Sequence, residues 1–239
     1  MKNSLPILTV AILSLFLAPS CSKKSSNPAQ TCRIVTISDQ IGTSTTVYNI
    51  SYNNSGKIST EQYSQNSTNY SRVFTYIGNT EIMTTSDGTT TITDSITLNG
   101  NGMIESDYAT DGTNTDVTTY TYSGTELQKS VEVLDGGTPT TSTYTWTNGD
   151  LTGASLSGSQ SGTYSYNSKA SEAGDYWQIV QLVNYGAVFV RTTHQLSGYQ
   201  AGTTVENVNY TYDNTGKITA VAATTGANVE NISYQYNCN

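Results

Sequence analysis

The sequence predicts an all-β domain of repeated antiparallel hairpins in up-and-down order, roughly 14 to 18 strands forming a rolled sheet or a barrel. Three observations carry this. An aromatic-x-aromatic pair, with aliphatic residues replacing aromatics in copies such as Ile96-Thr-Leu98, recurs along the chain, its second member falling at positions 52, 76, 98, 122, 146, 166, 212 and 236, in steps of 24, 22, 24, 24, 20, 46 and 24. A fixed period of this kind marks an array of one supersecondary unit. A polar turn and an aliphatic residue follow most copies, and Thr, Ser, Asn or Gln alternate with the aromatics, the period-2 pattern of a sheet with one wet face.

The first elements are an address. Lys2, the apolar stretch Leu5 to Leu17, and Ala18-Pro19-Ser20-Cys21 have the layout of an export signal. The pattern resembles a bacterial lipoprotein signal over residues 1–20, with Cys21 lipidated as the new N-terminus. An ordinary secretory peptide cleaved nearby is the alternative. The apolar stretch is short against the ~20 residues a retained spanning helix needs. Residues 21–31 read as a lipid-anchored flexible tether, polar and without apolar periodicity.

Residues 32–239 form one repeat domain. Cys32 opens its first strand and Cys238 closes its last, in a compartment where disulfides persist. A bridge would clasp the two ends of the domain and stabilise it by about 2–5 kcal/mol; otherwise the two remain unpaired buried thiols. Neither reading gives a redox catalyst, because Cys-x-x-Cys spacing is missing.

The hairpins follow in order. In Asn53-Asn54-Ser55-Gly56 and Asp213-Asn214-Thr215-Gly216 an Asx residue opens a type I turn and Gly takes the left-handed bulge position. These turns place Tyr52 opposite Ile58 and Tyr212 opposite Ile218, and Asn99-Gly100-Asn101-Gly102 places Leu98 opposite Ile104. Asn148-Gly149 reads as type I′, pairing Trp146 with Leu151, and Gly124-Thr125 as type II′, pairing Tyr122 with Leu127. The shorter turns shift the aliphatic partner by one residue, so the aromatic still faces it; this coincidence argues for one buried face. The unit at Tyr76 departs from the pattern, since Ile77-Gly78-Asn79-Thr80 lacks the final glycine.

The period breaks between Tyr166 and Tyr212. An irregular insert near 169–202 holds a short helical turn near 170–174 and the more apolar Tyr176-Trp177-Gln-Ile-Val-Gln-Leu-Val183. It reads either as a plug over one end of the sheet or barrel, or as a ligand groove in which Tyr176, Trp177, Arg191, His194 and Tyr199 contact a glycan or peptide.

The Tyr210-Thr-Tyr212-Asp-Asn-Thr-Gly216-Lys-Ile218 copy resembles the YD repeat of the Rhs and teneurin type, which implies a β-rich shell at a cell surface. With the signal ending at Cys21, Cys32 at the first strand, the Tyr-x-Tyr hairpins and the final Tyr234-Gln-Tyr236-Asn-Cys238, residues 32–239 are also similar to Bacteroidota-type lipoproteins of unknown function with a porin-like fold. That resemblance implies architecture and an envelope setting, on the periplasmic or surface side of an outer membrane, and supplies no catalytic or binding residues.

Composition bounds the partners. The chain carries 10 Lys plus Arg against 18 Asp plus Glu, and removing the signal takes away Lys2, leaving 9 against 18. Such a balance has no footprint for nucleic acid. The expected partners are the membrane, through the anchor, and a glycan or envelope protein. Strands alternating aromatics with Thr and Ser lack the outward apolar band of a transmembrane barrel, so a lipid-tethered sheet is expected over an inserted one. No metal or cofactor is expected: His194 is the single histidine, and zinc sites take several imidazole or thiolate ligands. Glu105, Asp107, Asp111 and Asp116 form the densest acidic patch, read as a solvated turn-rich loop; a carboxylate pair for glycoside hydrolysis is the enzymatic alternative. The leading reading is a non-catalytic envelope lipoprotein, structural or ligand-binding, with a YD-type adhesin or shell protein next.

Overall fold

Turn chemistry decides where each strand ends. The computed structural model describes residues 32–65, 67–157 and 161–238. Residues 1–31, expected from sequence to be a signal and a tether with lipidation at Cys21, lie outside the described residues. The described chain forms β1 (Cys32–Ile41), β2 (Ser44–Tyr52), β3 (Ile58–Gln65), β4 (Thr68–Ile77), β5 (Thr80–Ser86), β6 (Thr91–Leu98), β7 (Ile104–Thr110) and β8 (Thr115–Ser123). It continues through β9 (Glu126–Leu134), β10 (Thr140–Thr147), β11 (Asp150–Leu156), β12 (Gly162–Ala170), the helix α1 (Tyr176–Tyr185), β13 (His194–Ala201), β14 (Thr204–Tyr212), β15 (Ile218–Thr225) and β16 (Asn228–Cys238). Each strand pairs antiparallel with its neighbours in sequence, and β1 pairs with β16, so the sheet closes into a barrel of 16 strands.

All five expected cross-strand pairs form: Tyr52 with Ile58, Leu98 with Ile104, Tyr122 with Leu127, Trp146 with Leu151, and Tyr212 with Ile218. The turns are as their residues require. Asn53 Oδ1 accepts from the amides of Ser55 and Lys57 at 3.0 and 3.1 Å, and Gly56 holds φ +81°. Asn148 and Gly149 both have positive φ, the type I′ signature.

Three further pairs complete a ring of eight. Tyr166 faces Leu196 across the insert, Tyr236 faces Ile34 across the closing seam, and Tyr76 faces Glu81. The 46-residue step is therefore one hairpin with an enlarged connection, residues 171–193, rather than two degenerate units. The seam also carries the Cys32–Cys238 disulfide, which links residues 206 apart in sequence.

Alternation sorts the wall into two faces. Inward residues build the core: Ile37, Ile50, Phe74, Ile96, Leu127 and Val221 are all buried. Outward positions are largely hydroxyl-bearing or amide, as in Thr45, Asn49 and Ser51 of β2 and Thr143, Thr145 and Thr147 of β10, all exposed. Outward Val47, Val73, Ile77 and Tyr108 are exposed but scattered. Among the described residues no helix is long and apolar enough to cross a membrane.

Candidate functional site

A closed barrel of 16 strands has a lumen too wide for its own wall side chains to fill, and one end is filled by the insert. β12 ends at Ala170, and the helix forms at Tyr176–Tyr185, beyond the 170–174 turn expected from sequence. The local chemistry explains the shift. Asp175 is the N-cap, its carboxylate accepting from the Trp177 amide at 3.0 Å, whereas Gly174 at φ +93° stands outside helical geometry. Gly186, at φ +66°, ends the helix in a left-handed cap and donates to the Leu182 carbonyl. A Cβ at Gly186 would lie 2.5 Å from Phe74 Cε1, so this turn also needs glycine for space.

The strap after the helix is stitched down by one polar side chain. Gln181 has no exposed surface; its amide nitrogen donates to the Trp177 and Val190 carbonyls, and its oxygen accepts from the Phe189 and Val190 amides at 2.7 Å each. The Ile104 amide then donates to the Val188 carbonyl and the Thr193 amide to the Gly149 carbonyl, so the strap is hydrogen-bonded to two hairpins of this rim. Ile179 packs into the main core, and Ala187 and Val190 into the satellite clusters beneath Tyr120 and Trp146.

The five residues singled out from sequence do not share one surface. Trp177 and Arg191 line the same groove, about 470 Å³, running over the plug between Arg33, Tyr52 and the strap. Tyr176 turns into the lumen and donates to Glu230 Oε2 at 3.2 Å. Tyr199 packs at a tilt against Tyr164 inside the wall, its ring filling the space beside Gly162. His194 locks the start of β13 to β11, its amide donating to Asp150 Oδ1 at 2.9 Å and its Nδ1 lying 2.7 Å from Oδ2.

The ring of anchors is tied by bonds that the hairpin pattern alone does not show. Tyr52 donates to the Ile34 carbonyl, Tyr122 to Ile104, Tyr166 to Leu151, and Tyr236 to Ile218, at 2.6–2.8 Å. Trp146 Nε1 does the same to Leu127 at 2.7 Å. Bulges interrupt the ladder at many of these anchors, and each donor reaches the carbonyl of the inward aliphatic residue one hairpin back. Glu81 is the exception in the ring, a buried acid where the others place an aliphatic. Its Oε1 has no hydrogen-bond partner, and burial pushes its carboxyl up to about 7.

Toward the other rim the inward positions turn acidic. Glu61, Asp94, Asp107, Asp116 and Glu132 face inward from β3 and from β6 to β9, and Asp39, Glu206 and Glu230 from β1, β14 and β16. Arg72 is the one cation on the inner face of this half among the described residues; its Nη1 lies 3.3 Å from Glu61 Oε2 and also bonds the Val183 carbonyl at the end of α1. Burial pushes Glu61 and Asp107 up to about 7 and Asp94 up to about 6. The acidic patch expected to be a solvated loop is thus divided by strand parity: Asp107 and Asp116 lie inward on β7 and β8, Glu105 is exposed at a bulge, and Asp111 caps a turn by accepting from the Thr113 and Asn114 amides.

No family model matches the chain, and no curated protein matches it in sequence. Solved structures do. A porin-like protein from Bacteroides uniformis superposes with a TM-score of 0.66 at 16% identity, covering 85% of this chain and 98% of that one. A porin-like protein from Bacteroides vulgatus gives 0.58 at 16% identity, with the same coverage. The chain is therefore similar in fold to porin-like barrels of Bacteroides.

Proposed function

We propose that the protein is a non-catalytic cell-envelope lipoprotein, tethered through Cys21, whose barrel stands in water and serves as a ligand-binding module. The observation that carries this is the polarity of the wall. Its outer face is rich in Thr, Ser and Asn, and its inner face at the plugged end is aromatic and aliphatic, the reverse of a wall that meets hydrocarbon outside. The likeness to porin-like proteins is then one of architecture, with the helix and strap blocking one end. Replacing Cys21 by Ala should move the protein from the membrane fraction to the soluble fraction in folded form. Retention of the variant in membranes after alkaline extraction would point to an inserted barrel.

The groove over the plug is the ligand surface in this reading. Trp177 offers an aromatic face and Arg191 a guanidinium at its edge, a combination suited to a glycan or peptide. Binding on glycan and peptide arrays should vanish with Trp177→Ala and weaken with Arg191→Ala, the second being exposed and so free of folding effects. A hydrolytic reading has weaker support: Glu105 and Asp107 leave opposite faces of β7, and His194 is held by Asp150 at a strand end.

A further inference from the structure

We propose that the acid-lined part of the lumen on β6 to β9 binds an elongated organic oligo-ammonium ligand of the polyamine class. The register places the carboxylates in two rows. Asp94 and Asp116 flank Ala109 in one, and Asp107 and Glu132 flank Thr118 in the next. Members of a row are two strands apart, about 10 Å at the ~4.8 Å strand spacing. The residues between them, Ala109 and Thr118, are small and uncharged, so the register sets the charges out in lines rather than at one point. Among the described residues no set of three acids, histidines or cysteines is arranged to hold a metal ion. Charges spread along a flexible chain, with a few methylenes between ammonium groups, match this layout better than a single ion.

The carboxylates lack partners within the protein. Asp94 is 9% exposed and neither accepts a hydrogen bond nor forms an ion pair, and Asp107 Oδ1 and Asp116 Oδ1 are buried without hydrogen bonds. Arg72, the neighbouring cation, is engaged by Glu61 and the end of α1. Uncompensated buried carboxylates are costly, and ammonium groups seated among them would remove that cost with charge-assisted hydrogen bonds. The floor is aromatic: Tyr120 and Tyr185 stand close enough to Asp107 to feel its charge, and such rings favour cations over their faces. Access is from the far rim, where inward Ile92 and Leu134 are 41% and 56% exposed and form an apolar lip for the methylene segments.

Calorimetric titration of the purified protein with spermidine at low ionic strength and neutral pH should show saturable one-to-one binding. Asp94→Asn and Asp107→Asn should each weaken it about tenfold, the size expected for losing one charge-assisted contact. Glu105→Gln, on the exposed bulge, should leave it unchanged. Asp116→Asn, partly buried and nearer the far rim, provides the same comparison should either deeper variant fold poorly. Three results would overturn the proposal: absence of saturable binding, equal affinity in the Asn variants, or displacement of spermidine by magnesium at matched ionic strength as effectively as by spermine, which would mark general screening.

Discussion

Around the plugged rim, inward positions carry rings and branched chains whose donors close onto neighbouring carbonyls; toward the far rim, inward positions of the same strands carry carboxylates. β8 shows both within one strand, with Tyr122 and Tyr120 at one end and Asp116 at the other. The first half fills its space with apolar side chains, a helix and a strap. The second leaves acids with few internal partners. Shape is therefore specified at one end, and the other end is free to differ in chemistry.

pH should separate the halves most strongly, because several groups act in one direction. Glu61, Asp94 and Asp107 hold their protons to about 7, 6 and 7, well above the values they take in an unfolded chain. Between those limits the folded state binds more protons than the unfolded state, so stability falls as pH rises from about 4 to about 7. Buried Glu81 and Asp175 add with the same sign. Thermal denaturation should give a higher midpoint at pH 5 than at pH 8, and Asp107→Asn should flatten part of that slope. A midpoint that rises toward pH 8 would show that the inward acids are held as stabilised anions.

Truncation should distinguish the halves next. Leu127 is fully buried beneath Trp146 and Tyr122, and Leu127→Ala should cost about 2–5 kcal/mol in denaturant unfolding. Ile41, 57% exposed on the far lip, should lose less than about 0.5 kcal/mol on the same change. Comparable losses would mean that the far rim is as tightly filled as the near one. Gly186→Ala comes after Leu127→Ala, at about 1–3 kcal/mol, from left-handed backbone strain and the approach of Phe74.

The repeat architecture was legible because turn residues and anchor spacing are local properties. Asn148-Gly149 and Gly56 announce their backbone shapes, and the shapes set the register. The helix was displaced in the sequence reading because Asp175 reveals itself as a cap only when the chain around it turns into the lumen. Gln181 was silent, since its four bonds join it to groups four to nine residues away across a fold of the strap. The inward charged residues did leave a signal. Arg72 and Asp94 stand four residues before anchors Tyr76 and Leu98, and Asp116, Glu206 and Glu230 six before Tyr122, Tyr212 and Tyr236. Even offsets on a strand share the anchor's face. Glu61 and Asp107 stand three residues after Ile58 and Ile104, an odd offset returned to the inner face by the bulge between. Glu81 carries the same lesson, because the two-residue turn at Gly78-Asn79 puts the acid in the aliphatic slot.

The smallest effect tests the clasps. Tyr122→Phe keeps the ring and removes the donor to the Ile104 carbonyl at 2.6 Å, so it should cost about 0.5–1.5 kcal/mol. Tyr108→Phe, on the exposed outer face of β7, should be near neutral. The comparison isolates one hydroxyl, since both variants keep their aromatic area. If both are neutral, the ring is held by packing alone, and the carbonyls at the bulges are satisfied by water. If Tyr122→Phe also speeds amide exchange at Ile104 and Val188, whose strap contact lies beside that carbonyl, the clasp joins plug to wall as well as hairpin to hairpin.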